Sequence, residues 1–284
     1  MNSYNLGGHS GCRVYLMEDE NGETFVRKIS KDQIYNNRLQ AQCRKQAEFR
    51  GDLIQAPAIW KQGITEDGLF FFDMDYIQGI TLAEYIRTME IGKIRGLVDM
   101  LSSGMIADGR GTPSPEANQI FREKLSSLRT RLEPQNNSTI HEALDLLERH
   151  DWSNMTVSPC HGDLTLENII VKDERLYLID FLDSFYDSWF MDAGTLLQDV
   201  QVMWSYRFQR SVNMNTVLRL IVFRDILLDW IRQVDPVYER EVYYALLQKL
   251  VRIFPYTEDQ FTYDFLTEKT KLVTDDIHRL ESEI

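Results

Sequence analysis

The stretch His161-Gly162-Asp163-Leu164-Thr165-Leu166-Glu167-Asn168, followed by Leu178-Ile179-Asp180, constrains this chain more than any other. Asp163 and Asn168 are five positions apart, too close for separate elements, so one loop presents both. Asn168-Ile169-Ile170-Val171 and Leu176-Tyr177-Leu178-Ile179 read as short strands, with Lys172-Asp173-Glu174-Arg175 as the polar turn between them. Folding that turn returns Asp180 to the level of Asn168. A carboxylate beside an amide offers hard oxygen ligands, suited to Mg²⁺ carrying phosphates. Asp163 remains on the same loop to take a proton from an attacking hydroxyl.

The hydrophobic periodicity divides the chain in two. Residues 1–77 read mostly as strands. Arg13-Val14-Tyr15-Leu16-Met17 and Thr24-Phe25-Val26-Arg27-Lys28-Ile29 flank an Asn21-Gly22 turn, the strongest short hairpin signal. Residues from about 31 to 50 have the charge and amide content of an exposed helix. A further strand pair runs from Ile59 to Gln62 and from Leu69 to Tyr76, turning at Asp67-Gly68. After a connector near 75–80, Thr81 and Glu84 form a capping box for a helix from Leu82. Helical spacing then predicts segments near 95–107, 115–132, 139–149, 193–208, 214–233, 236–253 and 260–282, with a loop from Asp108 to Pro115. The expected organisation is an N-terminal lobe over 1–77 and a helical lobe over 78–284.

Composition narrows the functional classes. With 31 basic against 44 acidic residues the net charge is −13, which argues against a nucleic-acid partner, since phosphate backbones need dense Lys and Arg. The acidity weakly permits a cationic small molecule, but most of these carboxylates read as solvated surface. Cys12, Cys43 and Cys160 show neither a CxxC pair nor zinc spacing, as suits a reducing cytoplasm. The first residues lack a basic region followed by an apolar run, so no signal peptide is expected. Arg219, Arg224 and Asp225 interrupt the most apolar helix, which predicts a core helix and no membrane span.

Several residues carry more than one reading. Gly7, Gly8 and Gly11 lie between two strands, where a backbone turn could close over phosphates or simply make a hairpin. Lys28 shares a strand face with Val26. A buried lysine there wants an anion, whereas an edge strand would point it at water. Glu48, on the following helix, could reach Lys28 or be surface charge. His161 reads as a residue that ties the loop. Asp192 could cap the helix that starts at Ala193 or brace the loop. Asp183 and Asp187 could add to the metal site, face an acceptor, or be mere surface.

The order of these parts resembles the protein-kinase-like superfamily, specifically its aminoglycoside phosphotransferase and choline kinase branch. His161-Gly162-Asp163 is similar to that branch's HGD, Leu178-Ile179-Asp180-Phe181 to its IDF strand end, and Met74-Asp75-Tyr76-Ile77-Gln78-Gly79 to its hinge. Phe181, Ser184, Tyr186, Asp192 and Gly194 share the spacing of choline and ethanolamine kinases. The resemblance covers about residues 4–200. It implies a bilobal α+β fold with a small β-rich N-lobe and a larger helical C-lobe. It implies that Lys28 holds the phosphates of ATP or GTP and that Glu48 pairs with Lys28. The glycines would lie over the phosphates, and the backbone of Asp75 and Ile77 would meet the base. Asp163 would be the catalytic base, Asn168 and Asp180 would bind Mg²⁺, and Asp192 would brace the loop.

There are departures. Leu182 stands where protein kinases have the Gly of DFG, Thr165 replaces their catalytic-loop Lys, and no APE follows. Only twelve positions separate Asp180 from Asp192, too few for a peptide-docking activation segment. The expectation is a kinase acting on a small-molecule hydroxyl: a sugar, an aminoglycoside or an amino alcohol. A protein kinase and a catalytically silent nucleotide-binding module are the alternatives. The region after residue 200 is expected to form the acceptor pocket.

Overall fold

A computed structural model describes residues 2–6, 11–51, 53–106 and 111–282. The chain runs β1 (Asn2–Asn5), β2 (Arg13–Glu18), β3 (Thr24–Ile29), α1 (Asn36–Glu48), β4 (Ile54–Gln55), β5 (Ile59–Ile64), β6 (Phe70–Asp75) and β7 (Ile80–Thr81). It continues through α2 (Leu82–Ile86), α3 (Ile94–Ile106), β8 (Thr112–Pro113), α4 (Ala117–Leu132), α5 (Ser138–Arg149), β9 (Thr156–Val157), β10 (Ile169–Lys172) and β11 (Arg175–Leu178). The helices α6 (Trp189–Val200), α7 (Met214–Val234), α8 (Tyr238–Ile253) and α9 (Gln260–Ser282) complete it. This is the expected α+β class, β-rich in the N-terminal region and helical in the C-terminal region. Two compact units divide it: Met1–Leu82 with Glu167–Asp183, and Ala83–Leu166 with Ser184–Ile284.

The first unit is built on an antiparallel sheet of order β1-β2-β3-β6-β5. The Asp19 carboxylate accepts the N–H groups of Asn21 and Glu23, and Gly22 takes φ +83°, which closes the β2–β3 hairpin. Helix α1 lays Leu39 and Cys43 on Val26, Phe70, Phe72 and Met74. It is shorter than the 31–50 span expected, because Asp32 accepts the Tyr35 N–H and holds that segment in a turn. On β3, successive side chains point to opposite faces. Lys28 is buried, while Arg27 makes a two-pronged ion pair with Asp73, its partner across the strands, both N–O distances being 2.7 Å.

A second sheet of order β4-β11-β10-β7 belongs to the same unit. Its hairpin turns at Asp173 and Glu174, both with positive φ (48° and 60°), the geometry whose twist matches the strands it joins. The two-residue strands β4 and β7 were not expected from the sequence. They group this hairpin with the first unit rather than with the helices.

In the second unit, every residue of α6 is buried, and α6 packs most extensively on α8. The approach is close enough that a Cβ on Gly194 would lie 2.9 Å from the Leu246 nitrogen and 3.1 Å from the Ala245 Cβ. Ser188 caps α6 by accepting the Phe190 N–H, so the helix starts earlier than the 193 expected. It also ends earlier than 208. Asp199 accepts the Ser205 N–H and hydroxyl, Met203 adopts φ +58°, and the chain resumes as a short 3₁₀ turn over Trp204–Tyr206. The remaining expected helices appear within two residues of their predicted limits. Thr112–Pro113 pairs with Thr156–Val157 inside the loop expected at 108–115. No helix among the described residues is long and apolar enough to cross a membrane.

Replacing Gly194 with Val should force α6 off α8 and lower stability by about 1–3 kcal/mol, the usual cost of overpacking. Urea unfolding followed by far-UV circular dichroism measures it.

Candidate active site

The first unit holds a cavity of about 250 Å³. Leu6, Val14, Val26, Met74, Ile170 and Ile179 form apolar walls, and the chain segment Asp75-Tyr76-Ile77 runs along it. Lys28, Asn168 and Asp180 bring polar groups to the same space. Lys28 is only 3% exposed. Its ammonium is bonded to the Asp180 carboxylate and, at 3.3 Å, to the Gln42 side-chain oxygen on α1. Gln42 in turn donates to the Tyr35 hydroxyl. The helix side chain that meets Lys28 is therefore Gln42. Glu48, six positions on, is exposed at the C-terminal end of α1, because six residues turn a helix through nearly two-thirds of a circle beyond one full turn.

Asp180 follows β11 with φ +64°, a left-handed conformation that Asp tolerates better than most residues. The Ile179 N–H donates to the Asn168 carbonyl at 3.0 Å, which ties the two ends of the hairpin. The Asn168 amide and the Asp180 carboxylate are hard oxygen donors. Two such donors suit Mg²⁺, which keeps water and phosphate oxygens in its other positions. Among the described residues no three His, Cys, Asp or Glu side chains group as an all-protein cage. Asp183, on the same unit, lies 4.0 Å from the Arg38 guanidinium. Gly11 adopts φ +75°, and Gly7 and Gly8 lie outside the described residues.

Asp163 belongs to the second unit, with its side chain 39% exposed. The loop that carries it is held from two sides. The buried Asp192 carboxylate accepts the His161 N–H at 2.5 Å and the Gly162 N–H at 2.7 Å. Burial pushes the Asp192 carboxyl up from its ordinary range, and the positive groups and N–H donors around it oppose that push. From the other side, the Lys249 ammonium on α8 donates to the Gly162 carbonyl at 2.7 Å. Gly162 itself has φ +91°, a conformation open to glycine. His161 is buried and accepts the Asp163 N–H on Nδ1. Further along, Asp199 accepts the Leu166 N–H at 2.6 Å. Asp187 is exposed and accepts a hydrogen bond from the Cys160 thiol.

Gln42, Lys249 and Asp199 were not singled out from the sequence. Asp199 had a signal: it lies seven residues after Asp192, two helical turns along one face of an otherwise apolar segment. Lys249 had none, because it arrives from a helix 86 positions beyond the residue it adjoins (249 against 163).

The sequence profile of a family described as the phosphotransferase enzyme family (APH) matches residues 2–215. The chain belongs to the phosphotransferase enzyme family. It is accordingly a phosphotransferase with a hydroxyl acceptor. No curated protein matches the phosphotransferase in sequence. Among solved structures it is similar to a thermostable mutant of the aminoglycoside phosphotransferase APH(4)-Ia in ternary complex with AMP-PNP and hygromycin B. Identity there is 12%, the TM-score 0.61, and coverage 100% of this chain and 95% of that one. It is also similar to APH(2")-IIia in complex with GDP and kanamycin, at 17% identity and TM-score 0.62, covering 98% and 94% of the two chains. A protein designated a fructosamine-3-kinase from Haemophilus somnus 129PT aligns at 12% identity and TM-score 0.60, covering 98% and 91%. At these identities the likeness is one of fold.

Replacing Asp192 with Ala leaves two buried N–H groups without their acceptor. Each such loss costs about 1–3 kcal/mol. Urea unfolding should register a loss of about 2–5 kcal/mol, and Asp192→Asn, which keeps an acceptor oxygen, should lose less.

Proposed function

We propose that this phosphotransferase moves the γ-phosphoryl group of ATP or GTP to a hydroxyl of a small molecule. The observation that carries the reading is the largely apolar cavity lined also by buried Lys28 and its ion-pair partner Asp180. Its apolar walls suit a flat heteroaromatic base, and its charged side chains suit phosphate oxygens and their metal. The nucleotides present in structures of the same fold, AMP-PNP and GDP, support it. In this reading residues 1–77, completed by the 167–183 hairpin, form the nucleotide lobe, and the rest of 78–284 forms the catalytic and acceptor lobe.

Lys28 binds the nucleotide phosphates, and Gln42 holds its ammonium in place. Asp75 and Ile77 offer backbone groups to the base, and Gly11 belongs to the turn near the phosphates. Asn168 and Asp180 hold Mg²⁺, which when bound neutralises the charge on the phosphates. Asp163 accepts the proton of the acceptor hydroxyl as its oxygen attacks the γ-phosphorus, and the nucleoside diphosphate leaves. His161, Asp192 and Asp199 fix the backbone from which Asp163 projects, so that its carboxylate is preorganised. Positioning and electrostatics are the main sources of rate in phosphoryl transfer. The acceptor is an aminoglycoside, a sugar or an amino alcohol. Cys12, Cys43 and Cys160, buried and in no disulfide among the described residues, support a reducing, cytoplasmic setting.

A nucleotide-consumption screen against aminoglycosides, monosaccharides and amino alcohols tests the reading. Turnover of one class at the expense of ATP or GTP is expected, and no turnover with any of them sinks it. Asp163→Asn should lower kcat by about 10²–10⁴-fold while nucleotide affinity stays nearly intact. Asp180→Ala should abolish Mg²⁺-dependent nucleotide binding, and unchanged calorimetric titration would remove Asp180 from the metal site.

A further inference from the structure

Lys249 is a charged side chain in the middle of α8, 3% exposed, on a helix whose residues 241–251 are all buried. Its ammonium donates to the Gly162 carbonyl at 2.7 Å and lies 4.0 Å from the Asp163 carboxylate. If the site required only a donor for one carbonyl, a neutral amide would serve without the cost of burying a charge. A cation is favoured there because carboxylates surround it. Asp163 on the loop and Asp192 on α6 attract it, the Cys160 thiol adds a titratable neighbour, and Arg252 one turn along α8 repels it. The backbone of Gly162 is thus gripped by opposite charges, Asp192 at its N–H and Lys249 at its carbonyl. Asp163 is the next residue.

We infer that Lys249 is a positioning residue for phosphoryl transfer, its ammonium fixing the Gly162–Asp163 backbone and holding the Asp163 carboxylate as an oriented anion. The inference rests on Asp163 being the base. Lys249 touches neither the nucleotide nor the acceptor in this scheme, so its loss slows the chemical step and leaves nucleotide affinity alone. Burial and Arg252 lower the Lys249 pKa to about 8. As pH rises through that value the ammonium loses its proton, and the grip on Asp163 goes with it. Activity is therefore nearly full at pH 7, half lost near pH 8 and lower above it.

The test uses hydrolysis of MgATP and MgGTP by the whole protein, with water as acceptor. The water oxygen bonds to the γ-phosphorus, its proton passes to Asp163, and the bond to the nucleoside diphosphate breaks. Wild-type kcat should fall about tenfold between pH 7 and 9, as expected for a group titrating near 8. Lys249→Met should lower kcat by about 10- to 100-fold at pH 7, the scale of a misplaced catalytic group. Its nucleotide KM should stay within about twofold, and its profile should be flat over pH 7–9. Lys249→Arg, charged throughout, should recover rate and also lose the alkaline fall. A Lys249→Met protein with wild-type kcat overturns the inference. So does one with reduced kcat that keeps the alkaline fall, since that marks a merely structural role. If Lys249→Met does not fold, a wild-type profile flat over pH 7–9, or a Lys249→Arg profile that still falls, overturns it alone. Asp163→Asn, assayed in parallel, separates the two readings. Full activity in Asp163→Asn, or no wild-type turnover, defeats the assignment of the base and this inference with it. A dead Asp163→Asn beside an unaffected Lys249→Met defeats this inference only.

Discussion

Two consecutive backbone N–H groups, of His161 and Gly162, end on one carboxylate shielded from water. Burying a carboxylate is costly unless its oxygens find donors, and donors in a loop are left unsatisfied unless they find an acceptor. Each side of this contact therefore requires the other. Because Asp192 sits in the first turn of a fully buried helix, the loop inherits the rigidity of the helical core. That core depends on Gly194, two residues on, where the absence of a side chain lets α8 approach. The approach also delivers Lys249 to the carbonyl side of the same glycine, Gly162. A chain of close packing thus ends at the residue beside Asp163.

In the first unit the organising contact is electrostatic as well. Lys28 would be an expensive residue to bury on a strand facing Val26 and Met74 without a counter-charge. Asp180 supplies it from the far end of a hairpin 152 positions away. The pair brings fixed charge to a cavity whose walls are mainly apolar, so a molecule that enters meets both apolar surface and a charged anchor.

The local elements were largely legible. Asn21-Gly22 marked its hairpin, the short apolar runs on each side of the polar turn at Asp173-Glu174 marked theirs, and most helices kept their periodic limits. The failures share a cause. The helix expected over 193–208 stops at Val200 because Asp199 turns its carboxylate to Ser205 and Leu166, which is a tertiary choice that periodicity does not encode. The strands β4 and β7 exist only because the hairpin offers them edges. At the cavity, motif order brought Lys28 and Asp180 to one site, as phosphate and metal ligands and not as each other's ion-pair partner. Which α1 side chain meets Lys28 depended on helical phase, and Gln42 carried no charge to draw attention. Lys249 was invisible for a different reason. In sequence it is one cation on a mixed helix, and its significance comes wholly from what α6 and α8 bring beside it.

Arg27 and Lys28 are neighbours of like charge on β3, committed to opposite faces of the sheet. If β3 slid by one residue against β6, a basic side chain would still point each way, so charge alone would not reject the error. The discrimination comes from shape. The fork of Arg27 matches the two oxygens of Asp73 directly across the strands, whereas an ammonium could engage them only as a point charge. The guanidinium–carboxylate pair on the face opposite Lys28 therefore acts as a register key, and the alignment it enforces is what turns Lys28 inward.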